Sequence, residues 1–208
     1  MLYVPELFAE RDESALQAFV DAYGFALLLS PDAQDPPVSH VPLLLDRSRG
    51  DRGALFGHVA RGNPHWRHMQ EHPQALAIFH GPHAYVSPSW YQAHPSVPTW
   101  NYATVHVHGT VRLIQDAQEL EHLVQRLVDQ YEGGRPQPWR MELPADYQIK
   151  MLHGIVGFEI TITRMTGKFK LSQNRPAQDR VRVTEALGQG NAGEQEVATL
   201  MRSRFGLS

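Results

Sequence analysis

The run VHVHGTVRLI, Val105 to Ile114, decides the fold class. Val105, Val107, Val111 and Leu113 fall on one side of an extended chain, and His106, His108, Thr110 and Arg112 fall on the other. A period of two is the signature of an antiparallel strand with one buried and one wet face. Upstream, FALLLS (Phe25 to Ser30), SHVPLLLD (Ser39 to Asp46), ALFGHV (Ala54 to Val59) and ALAIFH (Ala75 to His80) read as further strands. The turn-rich insert PDAQDPPV makes the first two a hairpin with a wide loop, and Pro42 marks an edge or a bulge. Downstream, Val156, Phe158, Ile160 and Ile162 alternate with Gly157, Glu159, Thr161 and Thr163, and TGK at Thr166 to Lys168 is expected to turn that strand into FKLS. At least six short strands imply a mainly β protein, an antiparallel barrel with peripheral helices.

The helices are legible from a different period. Asp12 is placed to cap a helix that buries Leu16, Phe19, Val20 and Tyr23, with Gly24 as its stop. Asn63-Pro64 opens a short helix that ends near Pro73, and Leu120, Leu123, Val124, Leu127, Val128 and Tyr131 form the apolar stripe of a longer one. A short helix is expected over Ala145 to Leu152. The tail changes character: two helical stretches, Asp179 to Leu187 and Glu194 to Phe205, flank GQGNAG, read as a loose hinge. The chain therefore divides into a barrel domain over residues 1–175 and a helical appendage over residues 176–208.

With 208 residues, 42% of them hydrophobic, the chain can build one substantial core. The balance of 19 basic and 22 acidic residues gives a net charge of -3, so no global basic field attracts nucleic acid or an anionic membrane. Zero cysteines exclude disulfides, thiolate metal sites and thiol nucleophiles. MLYVPELFAERDE has no basic n-region followed by an apolar stretch, and no apolar run spans a bilayer, so a soluble cytoplasmic protein is expected.

Several motifs imitate chemistry that their context does not support. HMQEH, His68 to His72, has the H-x-x-E-H spacing of zinc peptidases, but Pro73 cuts the helix short and a solvated polar face explains the same letters; no metal is expected. Ser87 and Ser89 flank Pro88 without a nucleophile elbow and read as hydrogen-bonding groups. GQGNAG lacks the strand–turn–helix setting of a dinucleotide fingerprint. More informative is GHVARGNPHW, Gly57 to Trp66, which runs from a strand through Arg61 into a helix start and offers main-chain N–H groups and a guanidinium to an anion. KFKLSQNR, Lys168 to Arg175, sets three basic residues among Ser172, Gln173 and Asn174. GPHAYVSPSWYQAHPSVPTWNY, Gly81 to Tyr102, is a proline-stiffened connection rich in aromatic groups. A solvated loop with a helix cap accounts for either basic cluster alone; both together with the aromatic stretch point to a phosphorylated aromatic ligand.

These segments resemble the PaiB-like FMN-binding negative transcriptional regulators, within the split-barrel flavoproteins that include pyridoxamine-phosphate oxidases. The resemblance is carried in order by YVPELF, HVPLLLD, GHVARGNPHW, FHGPHAYVSPSWY, VPTWNYATVHVHG, IVGFEI and KLSQNR, over Tyr3 to Arg175. Gly62 stands where alanine is expected in the family's ARANP motif. The resemblance implies a six-stranded antiparallel FMN-binding split barrel that forms a homodimer with FMN in a cleft. It implies that HVPLLL faces the isoalloxazine with its backbone, that His58, Ala60, Arg61 and Asn63 hold the phosphate and ribityl chain, and that Ser87, Trp90, Trp100 and Asn101 line the cleft. Lys170, Ser172 and Gln173 would approach the same cleft.

Three functions stay open at this level: an FMN-dependent regulator with DNA as a partner by resemblance only, a flavin oxidoreductase using a nicotinamide donor or a small substrate, and a non-catalytic flavin-binding module. No acid/base pair singles out an enzyme, and no helix-turn-helix or basic stripe marks a DNA surface. Arg180, Arg182, Arg202 and Arg204 in the tail are the local candidates for DNA contact or for bracing a dimer.

Overall fold

A computed structural model describes residues 2–31 and 34–207. Among them eight strands form one sheet, β1 (Ala9–Glu10), β2 (Phe25–Leu29), β3 (Val38–Pro42), β4 (Leu44–Asp46), β5 (Ala54–Ala60), β6 (Gln74–Val86), β7 (Thr99–Ile114) and β8 (Ile155–Lys170). The helices are α1 (Glu13–Ala22), α2 (His65–Glu71), α3 (Ala117–Glu132), α4 (Ala145–His153), α5 (Ala177–Gly188) and α6 (Ala192–Phe205). The sheet order is β3-β2-β6-β7-β8-β5-β4, with β1 added alongside β8. Asp32 and Ala33, in the expected wide hairpin loop, lie outside the described residues.

The run read as the single strand SHVPLLLD is two strands, which is one reason the count exceeds six. β3 pairs with β2, with Pro42 opposite Phe25, whereas β4 pairs with β5, with Leu44 opposite Phe56. The break falls at Leu43, whose N–H donates to the Gly24 carbonyl (2.8 Å) and whose side chain is buried. One short stretch of chain thus supplies both ends of the sheet order. Gly57 of β5 lies beneath this bend: a Cβ there would press on Leu43 Cδ2, the Phe158 ring and the Pro42 carbonyl oxygen.

Two further strands run longer than their sequence suggests. β6 continues through GPHAYV to Val86, because Ala84 and Val86 are buried while His83 and Tyr85 are exposed; consecutive buried Gly81 and Pro82 interrupt that alternation in the sequence. β8 continues through TGK, which is not a turn. Gly167 there meets Leu16 so closely that a Cβ would collide with it, so the glycine serves close approach rather than reversal. The helices begin where expected: Asp12 accepts from the Ser14 N–H (2.9 Å), and Asp116 from the Gln118 and Glu119 N–H groups (3.0 Å each).

Contacts divide the chain into two compact units. One comprises residues 1–19, 80–106 and 166–208. Its core joins Ala84, Val86, Tyr91 and Leu171 to Val183, Leu187, Val197, Ala198 and Met201 of α5 and α6. The turn between those helices is capped rather than loose: Asn191 Oδ1 accepts from the Glu194 N–H (3.1 Å) and Glu194 Oε2 from the Asn191 N–H (2.8 Å). The other unit comprises residues 20–79 and 107–165, with a core of Ala54, Phe56, Ile114, Leu120, Leu123, Leu127 and Leu152. Glu159 is buried in this unit and is held by Arg112 (2.8 Å) and Arg49 (3.3 Å), the pairing a buried carboxylate requires.

Substituting Gly57→Ala should force Leu43, Phe158 or the Pro42 carbonyl aside and lower stability by about 1–3 kcal/mol. Urea denaturation of the variant against the parent protein measures this.

Candidate functional site

The site residues expected from the sequence fall into two groups, one in each unit. In the unit containing residues 20–79, β3 and β5 flank a pocket of about 400 Å³ lined by Val38, Ser39, His40, Val41, Pro42, His58, Val59, Ala60 and Asn63. Three of the expected contacts, His58, Ala60 and Asn63, therefore share one concavity. β3 is an edge strand hydrogen-bonded only to β2, so its outer main-chain groups face away from the sheet. His40 stacks on Phe25 with ring centroids 6.3 Å apart and extends the aromatic surface beside the pocket.

His58 Nδ1 is buried and has no hydrogen-bond partner within the protein. Burial also holds the His58 pKa below its ordinary value, so the ring is neutral at physiological pH. An unsatisfied buried ring nitrogen costs about 1–3 kcal/mol, which a ligand hydrogen bond would recover. Together with the Ser39 and Asn63 groups and an open strand edge, this is a neutral, polar donor–acceptor set. It suits the heteroatoms of a flavin ring or a ribityl chain.

Beneath the pocket lies a chain of hydrogen bonds that the sequence reading missed. Asn63 Oδ1 accepts from the His65 N–H (3.0 Å), which orients its amide, and Asn63 Nδ2 donates to Ser39 Oγ (2.9 Å). The Ser39 hydroxyl is then free to donate to His65 Nδ1 (2.9 Å), and His65 Nε2–H donates to Ser30 Oγ (3.1 Å). His65 is 1% exposed. Its letters gave one usable signal, a histidine in the first turn after Asn63-Pro64, but its two serine partners are 35 and 26 residues away.

Arg61 does not point a free guanidinium at this pocket. Its Nε donates to the His153 carbonyl (2.7 Å), Nη2 to the Ile155 carbonyl (2.9 Å) and Nη1 to Gln115 Oε1 (3.3 Å). The main-chain N–H groups of Arg61 and Asn63 are likewise bonded, to Gly154 O and Ala60 O. Arg61 ties the end of β5 to the start of β8, and the main-chain N–H groups of Arg61, Asn63 and His65 are bonded within the chain.

The second group lies in the unit containing residues 80–106 and 166–208. Ser87 caps a short 3₁₀ turn, and Trp90 packs against that unit's core. Asn101 is fully buried and hydrogen-bonded to Ser172 Oγ (2.9 Å), with Ser172 held at φ 67°. Gln173 accepts from the Leu171 N–H (2.7 Å) and donates to the Phe169 carbonyl. These four polar contacts build the fold locally. Trp100 is exposed and lies edge-on to Tyr85, with centroids 6.0 Å apart. Lys170 Nζ donates to Thr99 Oγ1 (2.5 Å) and the Trp100 carbonyl (2.6 Å).

Residues 2–164 match the family described as "Putative FMN-binding domain". The chain belongs to this family, and FMN is its cofactor. Over 207 residues it is 34% identical to the protease synthase and sporulation protein PAI 2 of Bacillus subtilis, with 98% of each chain covered. Among solved structures it resembles the flavocytochrome Anf3 from Azotobacter vinelandii, with a TM-score of 0.63 and 17% identity over 86% of this chain and 78% of that one. It also resembles the FAD and heme binding protein from Mycobacterium smegmatis, with a TM-score of 0.58 and 18% identity over 84% and 78% of the two chains. These structural likenesses carry the fold: a mainly antiparallel split barrel with peripheral helices, of eight strands rather than six.

His65 and Arg61 each give a measurable outcome. Burial, reinforced by the charge of His68, lowers the His65 pKa from 6.5 to about 4. The folded state thus binds fewer protons than the unfolded state between those values, and stability falls as pH drops through that window. The loss reaches about 3 kcal/mol at full protonation, and in His65→Gln the decline between pH 7 and pH 4 should be smaller by that amount. Arg61→Ala should lower stability by about 1.5–3 kcal/mol and weaken FMN and riboflavin by the same factor, since three of its five N–H donors tie it to the chain. Urea titrations and flavin-binding isotherms measure these effects.

Proposed function

We propose that the protein binds FMN with the flavin's polar edge against β3 and His58, and works as a homodimeric negative transcriptional regulator, the role implied by the PaiB-like resemblance of its motifs. The observation that carries the flavin site is the pocket between β3 and β5 with the unpaired His58 Nδ1 at its wall. His58, Asn63 and Ser39 hydrogen-bond the ring or ribityl chain in this reading, and Ala60 leaves room at the rim. Trp100 and Lys170 are the remaining expected contacts with groups still turned outward. Ser87, Trp90, Asn101, Ser172 and Gln173 support the fold around them. FMN supplies one- and two-electron chemistry when bound; the chain's own residues orient it and shield it from water.

Regulation through a partner or through flavin state fits better than a broad basic DNA surface. Of the tail arginines, Arg182 donates to the Trp90 carbonyl (2.9 Å), Arg180 covers the Phe205 ring (4.5 Å) and Arg204 pairs with Glu10. A second reading, a flavin oxidoreductase, is favoured by one observation: a neutral His58 at the pocket can accept or donate a proton. The proposal extends to a cytoplasmic location; among the described residues no helix is long and apolar enough to cross a membrane.

Purified protein titrated with FMN should shift the visible absorption bands and quench flavin fluorescence at a one-to-one ratio. Unquenched fluorescence at saturating protein removes the flavin reading. His58→Ala should weaken FMN and riboflavin alike, by about tenfold, because the lost hydrogen bond lies away from the phosphate. Anaerobic NADH or NADPH separates the two uses: rapid bleaching of the flavin identifies an oxidoreductase, whereas no bleaching together with retention of promoter DNA identifies a regulator. Light scattering reads the dimer.

A further inference from the structure

The unit built from residues 20–79 and 107–165 holds a second cavity, of about 490 Å³, that shares no lining residue with the pocket between β3 and β5. The buried side chains of Phe56, Ile114 and Leu123 form its apolar floor. Its rim is charged. Glu119, His122, Arg126 and Asp129 come from α3, three or four residues apart and so on one face of that helix. Asp46 at the end of β4, Arg49 in the turn after it and Arg112 near the end of β7 complete the rim.

Most of that charge is already matched within the chain. Arg112 gives Nε and Nη2 to Glu159 (3.1 and 2.8 Å) and Nη1 to Glu119 (2.9 Å). Asp46 accepts from Arg126 Nη2 (2.9 Å) and from the Ser48 hydroxyl (2.6 Å), and Asp129 accepts from Gln125 Nε2 (2.7 Å). Two guanidiniums keep an unused edge. Arg126 spends only Nη2, on Asp46, and is held over the Phe56 ring at 4.8 Å. Arg49 spends only Nη2, on Glu159, at 3.3 Å. Among the described residues, Nε and Nη1 of both arginines have no partner in the chain. The open capacity of the rim is therefore donor capacity, set beside an apolar floor.

A planar carboxylate suits a guanidinium edge, because its two oxygens can accept two parallel N–H bonds. The acids on the page limit the charge it can carry. Asp46, Glu119, Asp129 and Glu159 stand among the three arginines, so a phosphate's second charge would meet more repulsion than attraction. Phe56, Ile114 and Leu123 offer the apolar body of such a ligand a surface to cover.

We propose that this cavity binds a small monocarboxylate with an aromatic or branched apolar body, its carboxylate on the open edges of Arg49 and Arg126 and its body on Phe56, Ile114 and Leu123. The site stands apart from the flavin reading, which rests on β3 and His58.

Calorimetric titration of the flavin-free full chain with phenylacetate tests it. Saturable binding is expected, weakened at least about fivefold in Arg126→Gln and in Arg49→Gln. Asp129→Asn should tighten it about twofold, because a rim charge that repels the probe is removed. Damage to the fold cannot produce that gain, and Arg49→Gln should keep the parent's thermal unfolding midpoint because Arg112 still holds Glu159. Phenethylamine and phenyl phosphate should each bind at least about threefold more weakly than phenylacetate. No saturable binding below about 10 mM, an amine or phosphate that binds as well, or unchanged affinity in either arginine variant overturns the site. Saturating FMN should leave the phenylacetate affinity unchanged, and competition between the two overturns a separate site. Failure of FMN to bind removes the flavin reading and leaves the phenylacetate titrations to decide this one.

Discussion

The bend at Pro42-Leu43 over Gly57 is the constraint on which the sheet depends. A strand paired to β2 becomes, within one residue, a strand paired to β5, and the sheet order begins and ends on the same stretch of chain. Proline can occupy that place because an edge position does not need its missing N–H. Glycine is needed below it because the crossing leaves no room for a Cβ. The pocket follows from the same geometry: β3, released from β5 by the bend, keeps one main-chain edge open beside His58.

Polar groups in the unit that holds the pocket fall into two kinds, and the difference separates structure from function. Glu159 is buried and paired with Arg112 and Arg49, and Arg61 gives three of its five N–H donors to two carbonyls and an amide. Such groups hold elements in place and have little left for a ligand. His58 Nδ1 is the opposite case, with capacity that the chain does not fill. Unfilled capacity at buried or half-buried groups is costly, and retention of that cost favours a binding role over a packing role.

Local sequence rules succeeded where one neighbouring element decides the outcome. The cap at Asp12, the stripe of α3 and the alternation of β7 need only the period and the adjacent turn, and all three are present. They failed where a distant side chain sets the meaning of a residue. TGK looks like a turn until Leu16 is seen above Gly167, and GQGNAG looks loose until Asn191 and Glu194 close a capping box. For the site, His58, Val59, Ala60 and Asn63 of GHVARGNPHW line the pocket between β3 and β5, and the hydrogen bonds within that motif were decided by contacts far along the chain. Arg61 bonds to residues 92 and 94 positions away, and His65 to serines before and after the β2–β3 connection.

By itself the sequence determined a mainly antiparallel β protein with peripheral helices and, through the order of its motifs, its place among FMN-binding split barrels. Those properties are written in periodicity and in short segments, which survive without knowledge of what they touch. Only the tertiary structure decided which polar groups are already satisfied. Hydrogen-bond capacity is spent between residues far apart in sequence, and a guanidinium that reads as a phosphate grip becomes a clamp once two carbonyls reach it first.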